Sequence, residues 1–178
     1  LSVFFTWKCF KYDKTIDYIF LGIFLGLGIL SKYLFLYLAA GINLFLIYFF
    51  LKKKVKFKNI FLTSLFTFLT ILPHIFWLVE NNYITLNYGL QRTGGNGEFI
   101  DHFINPLVFM FKQFIILSPL FLMAFLLFKK IKIKFVKNNK FIFLFFICIA
   151  PLILMIFTSL IMGAKIRTMW MTPFYLIF

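Results

Sequence analysis

The sequence predicts an all-α fold, a polytopic transmembrane helix bundle, on three observations. Five apolar runs of 15 to 23 residues follow one another along the chain. Charged residues make up 13% of the 178 residues, where a soluble domain carries roughly 25%. The lysines that remain gather mostly between the runs, and chiefly in alternate connections. Crossing the hydrocarbon core takes about 20 apolar residues as helix. An isolated strand would leave backbone groups unpaired in lipid, so each run is expected to be helical.

Taken in order, the first ten residues (LSVFFTWKCF) read as the tail of an apolar span. Spans are then expected at residues 16–30, 34–51, 60–79, 106–128 and 141–161, with a further one starting at Pro173. The first is short, at 15 residues. The chain begins without Met or a signal peptide and stops inside an apolar run. It reads as an internal piece of a longer protein, one membrane domain over 1–178 truncated at both ends. The 30 Phe residues match the output of an AT-rich coding sequence, together with abundant Lys, Ile and Asn. Such bias replaces Leu by Phe, but it does not clear polar residues from runs of this length.

Net charge is +14, which in a soluble protein would point to nucleic acid. Here three lysines stand between residues 8 and 17, five between 52 and 58, and six between 129 and 140, fourteen of the 19 basic residues. Lysine clusters beside spans are topology signals and contacts for anionic lipid, so membrane lipids are the expected partner and nucleic acid is not. By the positive-inside rule these clusters are cytoplasmic. Lys32, residues 80–105 and residues 163–172 then share the exoplasmic side. Cys9 and Cys148 form no CxxC pair, and Cys148 is expected to pack as a small apolar residue.

Few residues can carry chemistry. Gly22 and Gly26 make a GxxxG, a device for close helix approach. Lys32 ends one apolar run as the next begins, a cation held at the boundary; it either snorkels to the interface or meets a phosphate at headgroup depth. Residues 80–105 hold Glu80, Glu98 and Asp101, three of the five acids, together with Arg92 and His102. The TGGNG within them lacks the GK[ST] ending of a phosphate loop and is expected to be a flexible lid. Glu98, Asp101 and His102 share a face if helical, but no metal site is expected there. Lys165 and Arg167 stand beside Trp170, as interfacial anchors do. No nucleophile elbow, HExxH or Walker motif is present, which leaves soluble hydrolase and ATPase classes without support.

Four stretches in order resemble the dolichyl-phosphate-mannose protein mannosyltransferase-like superfamily, which includes the bacterial aminoarabinose transferases of lipid A. DYIFLGIFLGLGILSKYLFLYL is similar to its Gly-Leu span ending in Ser/Thr-Lys. LPHIFWLVENNYITLNYGLQR is similar to its Pro-and-Trp entry into an exoplasmic loop ending in Gln-Arg. FKQFIILSPLFLM resembles its Gln-to-Pro-Leu span, and KIRTMWMTPFYLIF a later Trp-x-x-Pro span.

The resemblance implies a multi-pass transferase of a bacterial inner (plasma) membrane, part of the cell envelope machinery. It would move a sugar from a polyprenyl-phosphate donor to a hydroxyl of a lipid, glycan or protein acceptor, on the exoplasmic face and without a cofactor. Lys32 and Arg92 match its Ser/Thr-Lys and Gln-Arg motifs and are the candidate contacts for the lipid phosphate, with Lys165 and Arg167 as weaker additions. Some relatives carry a His three residues before that Arg, where this chain has Gly89. The family's essential acid sits in a first exoplasmic loop preceding the matched region, so the catalytic carboxylate is expected upstream of Leu1. The competing classes are a transporter or lipid flippase, and a non-catalytic envelope subunit.

Overall fold

The computed structural model describes residues 1–93, 99–128 and 139–171, with Arg92, Ala124, Leu127 and Phe128 as backbone alone. The described residues are all-helical. In chain order they form α1 (Ser2–Tyr12), α2 (Thr15–Ser31), α3 (Phe35–Leu51), α4 (Phe57–Glu80), α5 (Ile84–Thr93) and α6 (Asp101–Phe128). The last stretch runs through α7 (Asn139–Leu144), a π-helical turn (Phe145–Ile149) and α8 (Ala150–Met162), and ends in a 3-10 turn at Thr168–Met171. Among the described residues, three helices are long and apolar enough to cross a membrane: α4, α6 through Met123, and the continuous Asn139–Met162. The apolar helices α2 and α3 are shorter, at 17 residues each, the low end of the ~17–25 that spans need. The chain is therefore an integral membrane protein.

α2 and α4 run side by side in the same direction, and their contact explains the glycines. A Cβ at Gly22 would stand 2.6 Å from the Thr63 carbonyl oxygen and 2.8 Å from Phe66 Cβ. The closeness also lets threonines reach across: Thr63 Oγ1 donates to the Tyr18 carbonyl at 3.2 Å and Thr67 Oγ1 to the Gly22 carbonyl at 3.1 Å. Small residues with hydroxyls opposite are how helices associate where lipid removes the hydrophobic drive. The core lies among α1, α2, α3 and the π-helical turn, on the fully buried Tyr18, Leu21, Ile42, Phe45, Leu46 and Ile147. Aromatic edges fill it, with Trp7–Phe143 at 5.0 Å and Phe10–Phe49 at 4.4 Å. By contrast α4 and α6 leave Phe61, Phe68, Phe76, Phe111 and Phe114 exposed, as lipid-facing helices do.

Prolines inside the spans are locally compensated. Pro119 cannot donate to the Ile115 carbonyl, and Ser118 Oγ donates to it instead at 2.7 Å. Pro151, in the first turn of α8, withholds a bond from the Ile147 carbonyl, and the helix is π-wound directly before it; such single π turns absorb an irregularity without breaking the span.

Two ends result. At one, Asn59 Nδ2 donates to Asp13 Oδ1 at 2.9 Å, so the α1–α2 junction meets the start of α4, and Lys8, Lys11, Lys14 and Lys52 to Lys58 gather there. At the other, the α2–α3 turn meets the end of α4 and α5 through Tyr33. Three boundaries differ from expectation. α4 starts at Phe57, so Lys58 joins its first turn. Residues 80–105, expected as loop, contain α5. α6 starts at Asp101 instead of 106, because Ile100 already accepts the Phe103 and Ile104 amides and Asp101 complements the helix N-terminus. Lys112 lies about 17 Å along α6, exposed in the helix interior. The lysines at 129–137, the glycines of TGGNG, Glu98 and the span from Pro173 lie outside the described residues.

Candidate functional site

The end opposite the lysine clusters holds a groove of about 1150 Å³. Its construction starts at Gly28, where any Cβ would run into the Phe35 ring. That ring folds over Gly28, and α2 ends three residues later. Ser31 Oγ caps the Gly28 carbonyl at 2.7 Å, and Lys32 turns extended, at φ −163° and ψ 123°. The chain then re-enters helix at Phe35. Lys32 is thereby held at the mouth of the groove, exposed, and no carboxylate among the described residues pairs with it.

One wall of the groove is α5. The turn before it is sharp, with Asn82 and Tyr83 both left-handed at φ 51° and 55° and the Tyr83 amide bonded back to the Leu78 carbonyl at 2.9 Å. From α5, Ile84, Thr85, Tyr88, Gly89, Leu90 and Thr93 line the groove. The opposite wall is α8 with the extended segment behind it, through Phe157, Thr158, Ile166 and Trp170. That segment is fastened at several points. Gly163 ends α8 in the left-handed region (φ 61°). Ser159 Oγ donates to the Ala164 carbonyl at 2.7 Å, Asn105 Nδ2 to the Gly163 carbonyl at 2.7 Å, and Gln113 Nε2 to the Thr168 carbonyl at 3.3 Å. The Lys165 amide donates to the Thr93 carbonyl at 2.9 Å, which joins the two walls. Tyr37 and Thr158 exchange a hydroxyl bond of 2.9 Å across the floor. The remaining lining is mostly aliphatic and aromatic.

The four cations picked from the sequence stand as follows. Lys32 lines the groove. Arg92 lies in the last turn of α5, next to Thr93; its side chain is outside the described atoms. Lys165 and Arg167 are exposed on the segment bonded to Thr93. The fold thus brings the three segments that carry them to one groove. His102 Nδ1 donates to the Leu160 carbonyl at 2.8 Å and ties α6 to the end of α8, where His102 and Asp101 both lie against Gly163.

The sequence reading missed Tyr33, His74 and Thr85. Tyr33 Oη lies 2.7 Å from His74 Nε2 and 2.8 Å from Thr85 Oγ1, and Trp77 stacks on the His74 ring with centroids 5.7 Å apart. The spacing of His74 and Trp77 on α4 was visible in the sequence; that Tyr33 would meet them, 41 residues away, was not.

Residues 1–77 match the family described as dolichyl-phosphate-mannose-protein mannosyltransferase. The matched stretch runs from α1 to Trp77 in α4, and so includes Lys32, Tyr33 and His74. Arg92, Lys165 and Arg167 lie beyond it, as do the Gln-to-Pro-Leu and Trp-x-x-Pro stretches. Comparison with curated proteins and with solved structures gave no match.

Proposed function

Starting from the mannosyltransferase family match of residues 1–77, we propose that the protein moves a sugar from a polyprenyl-phosphate donor to an acceptor hydroxyl on the exoplasmic face. The observation that carries this reading is a lysine with no carboxylate partner among the described residues, at the mouth of a largely apolar groove. A lipid-phosphate sugar has that pattern: an isoprenoid chain for the apolar lining, a phosphate for the cation, and the sugar beyond it. In the reaction the acceptor oxygen forms a bond to the anomeric carbon while the bond from that carbon to the phosphate oxygen breaks. The acceptor proton passes to a carboxylate base, a role not assigned to any acid of this chain.

The donor phosphodiester carries one negative charge and the departing polyprenyl phosphate gains a second. Lys32 and Arg92 stabilise that growing charge, Arg with two parallel bonds and Lys as a point charge. At headgroup depth the screening is weaker than in bulk water; a unit pair 4 Å apart is worth about 4 kcal/mol at an effective dielectric constant near 20.

The test is Lys32→Ala and Arg92→Ala in membranes, assayed for transfer from a polyprenyl-phosphate sugar and, on purified protein, for binding of farnesyl phosphate against farnesol. Each variant should lose about 1.5–3 kcal/mol of phosphate interaction, about ten- to hundredfold in rate, with farnesol binding unchanged. Lys54→Ala, at the opposite end, should behave as wild type. If both exoplasmic variants transfer and bind normally, these residues are interfacial anchors only.

A further inference from the structure

The hydroxyl of Tyr33 is shared by three elements. Tyr33 follows Lys32 in the turn between α2 and α3, His74 belongs to α4, and Thr85 opens α5. One phenol with a single proton satisfies both partners in either of two ways: it donates to His74 Nε2 and accepts from the Thr85 hydroxyl, or it accepts from His74 Nε2–H and donates to Thr85. The bonds, 2.7 and 2.8 Å, are short and part-buried, and Trp77 fixes the imidazole plane from its face. α5 is a helix of ten residues, too short to hold itself in water. Among the bonds that tie it to other elements are one at its start, through Thr85, and one at its end, through the Thr93 carbonyl.

From this geometry we propose that Tyr33 is a positioning residue, which sets the separation between Lys32 and the Arg92-bearing end of α5 and so the width of a two-cation clamp for a phosphate. The inference rests on Lys32 and Arg92 meeting the donor phosphate, and it adds what holds them apart. Lys32 is covalently next to Tyr33, and Arg92 lies two turns along the helix whose first turn Tyr33 grips. A shift of about 1 Å in such a pair is enough to cost up to a hundredfold in a reaction that depends on both. Tyr33 touches no reacting atom in this account; it acts through the two cations.

The experiment is a double-mutant cycle on binding of farnesyl phosphate to the purified protein in nanodiscs, with farnesol as the probe that lacks the phosphate. Tyr33→Phe keeps the ring and removes both bonds. It should weaken farnesyl phosphate about five- to tenfold and leave farnesol within about twofold, since one net hydrogen bond corresponds to about 1 kcal/mol. In the Arg92→Ala background the same substitution should cost less than about twofold, because the clamp it adjusts has already lost one jaw. Thr85→Val breaks the α5 side of the link alone and should reproduce Tyr33→Phe; it carries the test if Tyr33→Phe does not accumulate. Equal loss of farnesol and farnesyl phosphate, or an undiminished Tyr33→Phe effect in the Arg92→Ala background, would mean a structural bond only and overturns the proposal. Should Lys32→Ala and Arg92→Ala bind farnesyl phosphate as wild type does, the phosphate site itself fails, an outcome separable from a failure confined to Tyr33.

Discussion

Lys8 and Asp17 meet at 3.0 Å across the α1–α2 junction, with the Asp17 side chain 3% exposed and that of Lys8 39%. The second Asp17 oxygen, Oδ2, is buried and makes no bond among the described residues, so there this carboxylate has Lys8 as its one ion-pair partner. Removing the partner of a buried charge costs about 3–5 kcal/mol; because Lys8 is reached by water, we expect about 1–3 kcal/mol from Lys8→Met, seen as a lower melting temperature of the solubilised protein. Lys8→Met/Asp17→Leu, which removes both charges, should recover most of it. A melting curve for Lys8→Met that overlays the wild type would mean that Asp17 finds a different partner. At this scale the sequence was a partial guide. Lys32 was legible because a cation between two apolar runs has nowhere else to go. Asp17 was counted only within a basic loop, since its burial depends on α1 folding back along α2. Tyr33 was invisible because its role lies in its partners, which come from α4 and α5.

Spans were legible because lipid enforces length and composition on each one separately, and the five expected runs correspond to α2, α3, α4, α6 and the α7–α8 stretch. α5 was not. Its sequence, ITLNYGLQRT, is half polar, and at ten residues it is shorter than the window over which a helical period is read. The GxxxG was read as a packing device, but only the structure supplies its partner, α4. Two substitutions separate the parts of that interface. Gly22→Leu places a side chain where the Thr63 carbonyl and Phe66 already stand, and overpacking of this kind costs about 1–3 kcal/mol. Thr67→Val keeps the shape and removes a single interhelical bond, worth about 0.6 kcal/mol within membranes. Resistance to heat in detergent should therefore fall clearly for the first and barely for the second. Equal effects would show that hydroxyl bonding, and not close approach, holds α2 to α4.

At the scale of the whole molecule, the sequence conveyed the two ends but not the groove. Charge alternation needs only a walk along the chain, and these contacts among the described residues agree with it: Asp13 with Asn59 at the basic end, and Tyr33 with Thr85 and Thr93 with Lys165 at the other. The groove is built from segments more than a hundred residues apart, such as Tyr37 and Thr158, and no local pattern announces it. By the positive-inside rule the lysine-rich end is expected in the cytoplasm, and this expectation can be tested with a thiol reagent that does not cross membranes. The native thiols leave the background quiet, since Cys9 and Cys148 are 0% and 4% exposed. Cysteines placed at Lys54 and at Asn81, both on exposed positions at opposite ends, report the two faces. Reagent applied to intact cells should modify Asn81→Cys and spare Lys54→Cys until the membrane is opened. The reverse pattern would put the groove and Lys32 on the cytoplasmic side, and any lipid-phosphate sugar would then have to be presented from within.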